Sequence, residues 1–391
     1  MLMSNYIEEL FELKGAILEN IKSTEESLNI FISMKKEPHT CPCCNFPTER
    51  VHDYRTQIIK DVPFLHKATF IHLRKRRYVC PHCGKRFFEK IPFLPKYQRT
   101  TNRLWAFILS RFTEVSSLKS IAKLTSLSQA TIGRILDKID YGLPSLPKVI
   151  AFDEFKGNAN GEKFQFILTN PKAKKVLDIL PSRKADYLYS YFSKFKDRNN
   201  VQYVVIDMST AFKAVSKHCF PNAKIIADKY HVIRQVTWAF ERTRKKVQQN
   251  FEPSRRKYFK RSRTLLLKSQ DKLKDYEWQQ VLNMLSLSKE LSQAYYLKNE
   301  FYSLMKERDS YKFTKRMNNW IMMAQSFECK EFNNCCKTFI DWFDEIRNGI
   351  ITGYTNGYTE GCNNKIKVIK RVSYGVRNFK RFRARIMHSL T

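Results

Sequence analysis

Val149-Ile150-Ala151-Phe152-Asp153 and Tyr203-Val204-Val205-Ile206-Asp207 decide the fold: each is a short apolar run of β-formers that ends on an aspartate. Around them, residues 148–153, 163–169 and 175–180 read as three short strands. Gly157-Asn158-Ala159-Asn160-Gly161 separates the first two, and Asn170-Pro171-Lys172 turns the second into the third. Residues 183–195 read as a helix, 202–207 as a fourth strand, 210–219 as a helix and 224–227 as a fifth strand. Three strands in succession, then strand-helix-strand, predict an antiparallel meander extended by parallel strands. From Val232 to about Gly349 the pattern is helical and strongly charged, with no strand signal.

A lone acid is ordinarily a solvated surface residue. Asp153 and Asp207 depart from that because each closes an apolar strand, at the strand mouth where α/β folds place their sites. Glu154 should point to the opposite face of its strand. Asp178, inside a strand-like run, and Asp186, on a helix, lack a comparable setting. Far downstream, Glu360 enters a basic helix in Thr359-Glu360-Gly361-Cys362-Asn363-Asn364-Lys365. Glu360, Asn363, Asn364 and Lys367 fall on one helix face. That face suits a metal and a phosphate, with Asn364 and Lys367 placed to hold a nucleic-acid strand. Two strand-end aspartates and a helical glutamate are the oxygen ligands that a pair of Mg²⁺ or Mn²⁺ ions prefers. Such a pair drives in-line phosphodiester displacement.

The remaining composition agrees with a polyanion partner. The 391 residues carry 71 Lys and Arg against 37 Asp and Glu, a formal net charge of +34. Each phosphate neutralised releases counterions and adds affinity. The basic residues cluster, as in Arg74-Lys75-Arg76-Arg77 and Arg255-Arg256-Lys257, and nine fall between 365 and 385 without an acid. The first 37 residues are acidic and read as a helix, either solvated or self-associating. No apolar run is long enough for a bilayer, and no secretory leader pattern opens the chain.

Cys41-Pro42-Cys43-Cys44 and Cys80-Pro81-His82-Cys83-Gly84 form two C-x-x-C knuckles. Cys41, Cys44, Cys80 and Cys83 supply four thiolates for one structural Zn²⁺ in a zinc-ribbon-like module; Cys43 is left over and His82 is the substitute ligand. This pattern favours a reducing compartment. Residues 117–136 read as helix, turn and second helix, with Ser128 as N-cap of the second. Gln129, Thr131, Arg134 and Lys138 would face the major groove. Trp320 reads as core of the helical region, or as an aromatic on which a base stacks.

The strand order is that of an RNase-H-like core. Together with both knuckles, the helix-turn-helix, and the stretches "AFDEF", "VVIDMS", "ADKYHV" and "TEGCNNKIKVIKRVSYGVRNFKRFRARI", the chain resembles the bacterial DDE transposases of the ISL-three insertion-sequence family. The resemblance implies an RNase-H-like α/β catalytic core with a helical insertion before the last carboxylate. It implies catalytic Asp153, Asp207 and Glu360 on two Mg²⁺ or Mn²⁺ ions. Asp228 and His231 would be supporting residues, and Asn364, Lys367, Lys370 and Arg371 would contact DNA. The partners implied are double-stranded element ends and target DNA, with self-association into a dimer or higher oligomer, in the bacterial cytoplasm at the nucleoid. The expected domains are an acidic helical segment (1–37), a zinc module (38–98), a helix-turn-helix domain (99–142), a first core part (148–245), a helical insertion (246–350) and last core helices carrying Glu360 (351–391). Two rival readings are a zinc and helix-turn-helix regulator with an inactive core, and an RNase-H-like nuclease without strand transfer.

Overall fold

The structure, a computed structural model, describes residues 11–327, 329–375 and 378–390. It divides into two compact units, residues 1–141 with 368–390, and residues 142–367.

In the first unit β1 (Ala16–Ser23) and β2 (Ser27–Met34) form an antiparallel hairpin. Over residues 16–34 this corrects the expected acidic helix of 1–37; residues 1–10 of that expectation lie outside the described residues. In β2 the buried residues are Leu28, Ile30, Ile32 and Met34, a strict period of two that overrides the acidic composition. Two short strands follow, β3 (His39–Thr40) and β4 (Pro47–Thr48), then the long hairpin β5 (Val51–Phe64) and β6 (Lys67–Val79), then β7 (Arg86–Phe88). The sheet order is β1-β2-β6-β5, with β7 on β6 and β2 parallel to β6. Ile30, Ile32, Ile59, Ile71, Leu73, Phe93 and Leu94 make its core. Three helices complete this part: α1 (Asn102–Thr113), α2 (Leu118–Thr125) and α3 (Gln129–Asp137). Each is N-capped by a hydroxyl, from Thr101, Ser117 and Ser128 respectively. A cap of this kind is worth about 1 kcal/mol.

The second unit holds β8 (Val149–Phe155), β9 (Gln165–Asn170), β10 (Lys175–Leu180), α4 (Ala185–Phe192), β11 (Tyr203–Ile206), α5 (Thr210–Cys219) and β12 (Lys224–Ala227). Its order is β10-β9-β8-β11-β12. The first three strands are antiparallel and β8, β11 and β12 run parallel, the RNase-H-like arrangement. Side chains alternate across the sheet. Phe152 points to the α4 and α5 side, among Phe166, Phe192, Phe212 and Phe220 at centroid distances of 5.1–6.1 Å. Such pairs add about 0.5–1.5 kcal/mol each beyond area burial. Ala151, Val205 and Ile226 form a small cluster of their own.

Among the described residues, eight α-helices follow up to residue 352: α6 (Lys229–Gln249), α7 (Pro253–Arg261), α8 (Arg263–Leu267), α9 (Asp275–Leu285), α10 (Lys289–Leu304), α11 (Ser310–Ser326), α12 (Lys330–Asp341) and α13 (Phe343–Thr352). Trp320 lies inside them at 2% exposure, its indole N–H donating to Leu297 O at 2.9 Å. It is a core residue, and the base-stacking reading does not hold. Helix α13 lies along β12, where Asn348 donates to Ile225 O at 2.9 Å. A Cβ on Gly349 would stand 3.1 Å from Ala227 O, so the close approach favours glycine. Next comes α14 (Gly357–Val372), within which the division between the units falls.

The last helix, α15 (Phe379–Leu390), belongs to the first unit, which corrects the expectation that 351–391 are all core helices. Arg381 forks onto Asp137 of α3 at 2.7 and 2.9 Å. His388 bonds Leu109 O, and Ser389 bonds Phe112 O, both on α1. The helix-turn-helix is therefore finished by residues about 250 positions downstream.

Candidate active site

The constant pairing offset between β8 and β11 sets the site. Val205 lies beside Ala151, so two residues on, Asp207 comes level with Asp153. Ile206 pairs with Ala227, so Asp228 comes level with Asp207. Period-two alternation then puts Asp153, Asp207 and Asp228 on the face of Ala151, Val205 and Ile226. Asp153 does not end its strand, as the sequence suggested; β8 runs on to Phe155, and Asp207 follows directly after β11.

Burial dominates the electrostatics. Desolvation, reinforced by the neighbouring Asp207, pushes the Asp153 carboxyl up to about 7. Desolvation also raises Asp207. Asp207 Oδ1 is buried with no hydrogen-bond partner, as are the side-chain oxygens of Asn356 and Asn363. Among the described residues neither carboxylate forms an ion pair, and the charges of His231 and Arg234 act on them without offsetting burial. Hard divalent cations fit that donor set.

Asp228 differs from its two neighbours. Its carboxylate accepts from His231 Nδ1 at 3.1 Å, from the His231 N–H and from the Asn356 N–H at 2.8 Å. Burial would raise it, but these bonds outweigh burial and hold it below the usual range. The same bond raises His231, against partial burial. Asp228 therefore caps α6 and anchors the chain just before α14, with its oxygens already engaged.

Helix α14 is pinned to the sheet at three points. Asn356 Nδ2 donates to Phe152 O at 3.1 Å, the Thr359 and Thr169 hydroxyls bond at 2.8 Å, and Asn363 Nδ2 donates to Asp153 Oδ2 at 2.9 Å. Glu360, between these anchors, stands with Asp228 and His231 so that one ligand atom from each lies within 4.8 Å of the others. Asp153, Asp207 and Glu360 do not form so tight a set among the described residues. The links are indirect: the His231 charge acts on both Asp153 and Asp207. Asn363, expected beside Asn364 and Lys367 on a face for metal and phosphate, is buried against Asp153, while Asn364 and Lys367 are exposed and bond each other at 3.2 Å. Lys370 is half-buried and Arg371 exposed. Glu154 pairs with Arg183.

Tyr230, Arg234 and Trp238 stand at i, i+4 and i+8 on α6, with the guanidinium 5.6 Å and 4.7 Å from the two ring centroids. Both rings are exposed, at 57% and 45%. The spacing was visible in the chain; that this face of α6 is solvent-exposed was not.

In the first unit, the knuckle thiols bring Cys41, Cys44, Cys80 and Cys83 within 4.8 Å of one another. Their Sγ···Sγ separations of 3.4–3.6 Å approach the edge of about 3.8 Å of a tetrahedron with 2.3 Å Zn–S bonds. The knuckles share one turn: Asn45 N–H bonds Cys41 O, and Gly84 N–H bonds Cys80 O, both residues at positive φ. Cys43 and His82 are exposed and outside the cluster. On α3, Gln129, Arg134 and Lys138 are exposed and Thr131 is half-buried; Lys138 lies 4.4 Å over the Trp105 ring.

Comparison with known proteins agrees with this architecture. Residues 150–386 match a family described as transposase, of the ISL3 type. Residues 37–83 match the zinc-finger of transposase IS204/IS1001/IS1096/IS1165, and residues 89–140 the helix-turn-helix domain of transposase family ISL3. The chain is 26% identical over 396 residues to the transposase for insertion sequence element IS1001 of Bordetella parapertussis, covering 98% of this chain and 97% of that protein. A protein of Lactococcus lactis subsp. lactis named ATP-dependent protease is 36% identical over 104 residues, 27% of this chain and 32% of that one. No two glycines here stand five apart, so the phosphate-loop spacing of many ATPases is missing. Among solved structures, the Drosophila P element transposase strand transfer complex aligns with a TM-score of 0.40 at 12% identity, over 73% of this chain and 91% of that one.

Proposed function

The chain belongs to the ISL3 family of insertion-sequence transposases, and we propose that Asp153, Asp207 and Glu360 are the carboxylates with which it cuts and joins DNA. One observation carries the assignment: Asp207 Oδ1 is buried and unpartnered beside an Asp153 whose proton affinity burial has raised. Two Mg²⁺ or Mn²⁺ ions held there would activate the attacking oxygen and neutralise the leaving one.

The chain's own residues prepare that chemistry. Asp153 and Asp207 are the ligands set by the sheet. Asn363 fixes the rotamer of Asp153 by donating to Oδ2, leaving Oδ1 the bond from the Glu154 N–H. Asp228 orients His231 and holds Asn356, so both ends of the turn into α14 are fixed and Glu360 is presented beside them. Glu360 completes the carboxylate set and orients the attacking water or 3′-hydroxyl. Tyr230, Arg234 and Trp238 offer stacking faces and a cation to the strand entering the site. In the first unit, the four cysteines hold one structural zinc, and α3 reads the terminal inverted repeats through Gln129, Thr131, Arg134 and Lys138. Asn364, Lys367, Lys370 and Arg371 contact the DNA backbone, and the protein works as a dimer or higher oligomer on the paired ends.

A labelled element end incubated with target DNA and Mg²⁺ or Mn²⁺ separates the readings. The transposase reading requires a nick at the element end followed by a joined product. Nicking without joining would leave a nuclease, and sequence-specific binding without either would leave a regulator.

A further inference from the structure

A cavity of about 390 Å³ opens on the β5–β6 hairpin where three cations, Arg55, Lys75 and Arg99, converge beside Gln57 and Phe88. Arg55 and Lys75 are direct cross-strand partners in the antiparallel register. Like charges directly opposite one another destabilise a sheet. The acids of the hairpin and of the strand after it are engaged elsewhere: Asp53 with Arg77, Asp61 with Arg103, and Glu89 with Arg76. Among the described residues, Arg55 and Arg99 form no ion pair. Lys75 is left over the Phe88 ring at 5.1 Å. The folded chain thus keeps a like-charged pair around an open space with an aromatic wall, and Glu89, whose charge reaches Lys75, is already bound by Arg76.

The cavity is also fixed in place. Gln57 Nε2 donates to Gln98 O at 2.9 Å, and Lys60 N–H donates to Arg99 O at 2.9 Å, so the segment bearing Arg99 is stapled to β5. Further along β5, Lys60 Nζ bonds Ser126 O in the turn of the helix-turn-helix. Asp61 accepts from Thr101 Oγ1 at 2.6 Å and from Arg103 Nε at 2.8 Å at the start of α1. The cavity and the helix-turn-helix therefore form one frame, joined through a single strand.

We propose that this cavity is a phosphate-binding site for the backbone of duplex DNA, distinct from the recognition helix α3 and acting without regard to sequence. It rests on the DNA-binding reading above and adds a second contact to it. Arg55, Lys75 and Arg99 neutralise phosphodiester oxygens, and Phe88 packs on the adjoining sugar. The repulsion between Arg55 and Lys75 is relieved when the phosphate enters, so stability is given up in the free protein for affinity in the complex.

The test uses full-length protein and two labelled duplexes, an element end and a scrambled sequence, titrated across a salt series. Arg55→Ala/Arg99→Ala should weaken both duplexes by the same factor, about tenfold or more near physiological salt. The slope of log affinity against log salt should become shallower by about one for each cation removed. Arg55→Lys should retain the wild-type slope. Arg55→Glu should raise the melting temperature, by pairing with Lys75, while lowering DNA affinity; these opposite signs exclude simple misfolding, and retained zinc confirms the module. An unchanged slope in the double variant overturns the site, as does a loss confined to the element end. Binding of an acidic protein segment, rather than DNA, at the cavity would also overturn it. If the wild type binds neither duplex, the DNA-binding reading itself fails, an outcome distinct from a silent cavity.

Discussion

Asn363 on α14 donates to Asp153 Oδ2 on β8 at 2.9 Å, joining residues 210 positions apart. This bond fixes one carboxylate and seats the helix that carries another. Groups that orient metal-ligating carboxylates typically cost 10–100-fold in activity or metal affinity when removed. Asn363→Ala should therefore lower end cleavage by roughly 10–100-fold and raise the Mn²⁺ concentration needed for half-maximal rate, with end binding unchanged. Cleavage rates across a Mn²⁺ series check it. Loss of rate with no shift in the metal requirement would assign Asn363 to packing alone.

The zinc assignment separates neighbouring cysteines. Cys80→Ser should lose bound zinc and the ordered zinc module, while Cys43→Ser, two residues from Cys41 yet outside the cluster, should retain about one zinc per chain. Metal analysis of purified variants decides it; equal zinc in both would break the four-thiolate assignment.

The fork between Arg381 and Asp137 ties α15 to α3. Its hydrogen bond holds the Asp137 carboxyl below the usual carboxylate range. A depressed carboxylate contributes stability above its unfolded pKa of about 3.9 and loses it as pH falls through the lower folded value. The pair is about one-third exposed, so its contribution is about 1 kcal/mol or less. Arg381→Ala should lower the urea midpoint at pH 7, and the gap from wild type should persist to about pH 5 and close below about pH 4. Urea titrations of both proteins across that range check the sign. A gap that widens on acidification would contradict it.

The sequence carried local information well where the pattern was local. The apolar runs before Asp153 and Asp207 are strands, and residues 210–219 and 224–227 form the expected helix and strand. The register of the parallel strands then brings the two aspartates level. Residues 16–34 were misread because seven glutamates over 1–37 outweighed the alternation of Leu28, Ile30, Ile32 and Met34. The assignment of α15 was missed for a different reason. Its partners Phe112, Leu109 and Asp137 lie more than 240 residues away, and no local pattern records such a contact. Asn363 falls on the helix face that the sequence gives to a metal and a phosphate, but its bond to Asp153 is not legible, since nothing in the chain shows that this residue turns toward β8.

Whether Asp153, Asp207 and Glu360 act together as the metal-holding set of a strand-transfer enzyme is tested most directly by a cleavage-and-joining assay on a labelled element end with Asp153→Asn, Asp207→Asn, Glu360→Gln and Glu154→Gln. The first three keep shape and remove the charge that attracts the cation, so each should abolish nicking and joining while end binding stays near wild type. Glu154→Gln should stay active, because that side chain pairs with Arg183. Wild-type joining by Glu360→Gln, or a Glu154→Gln protein as inactive as Asp153→Asn, would contradict the assignment.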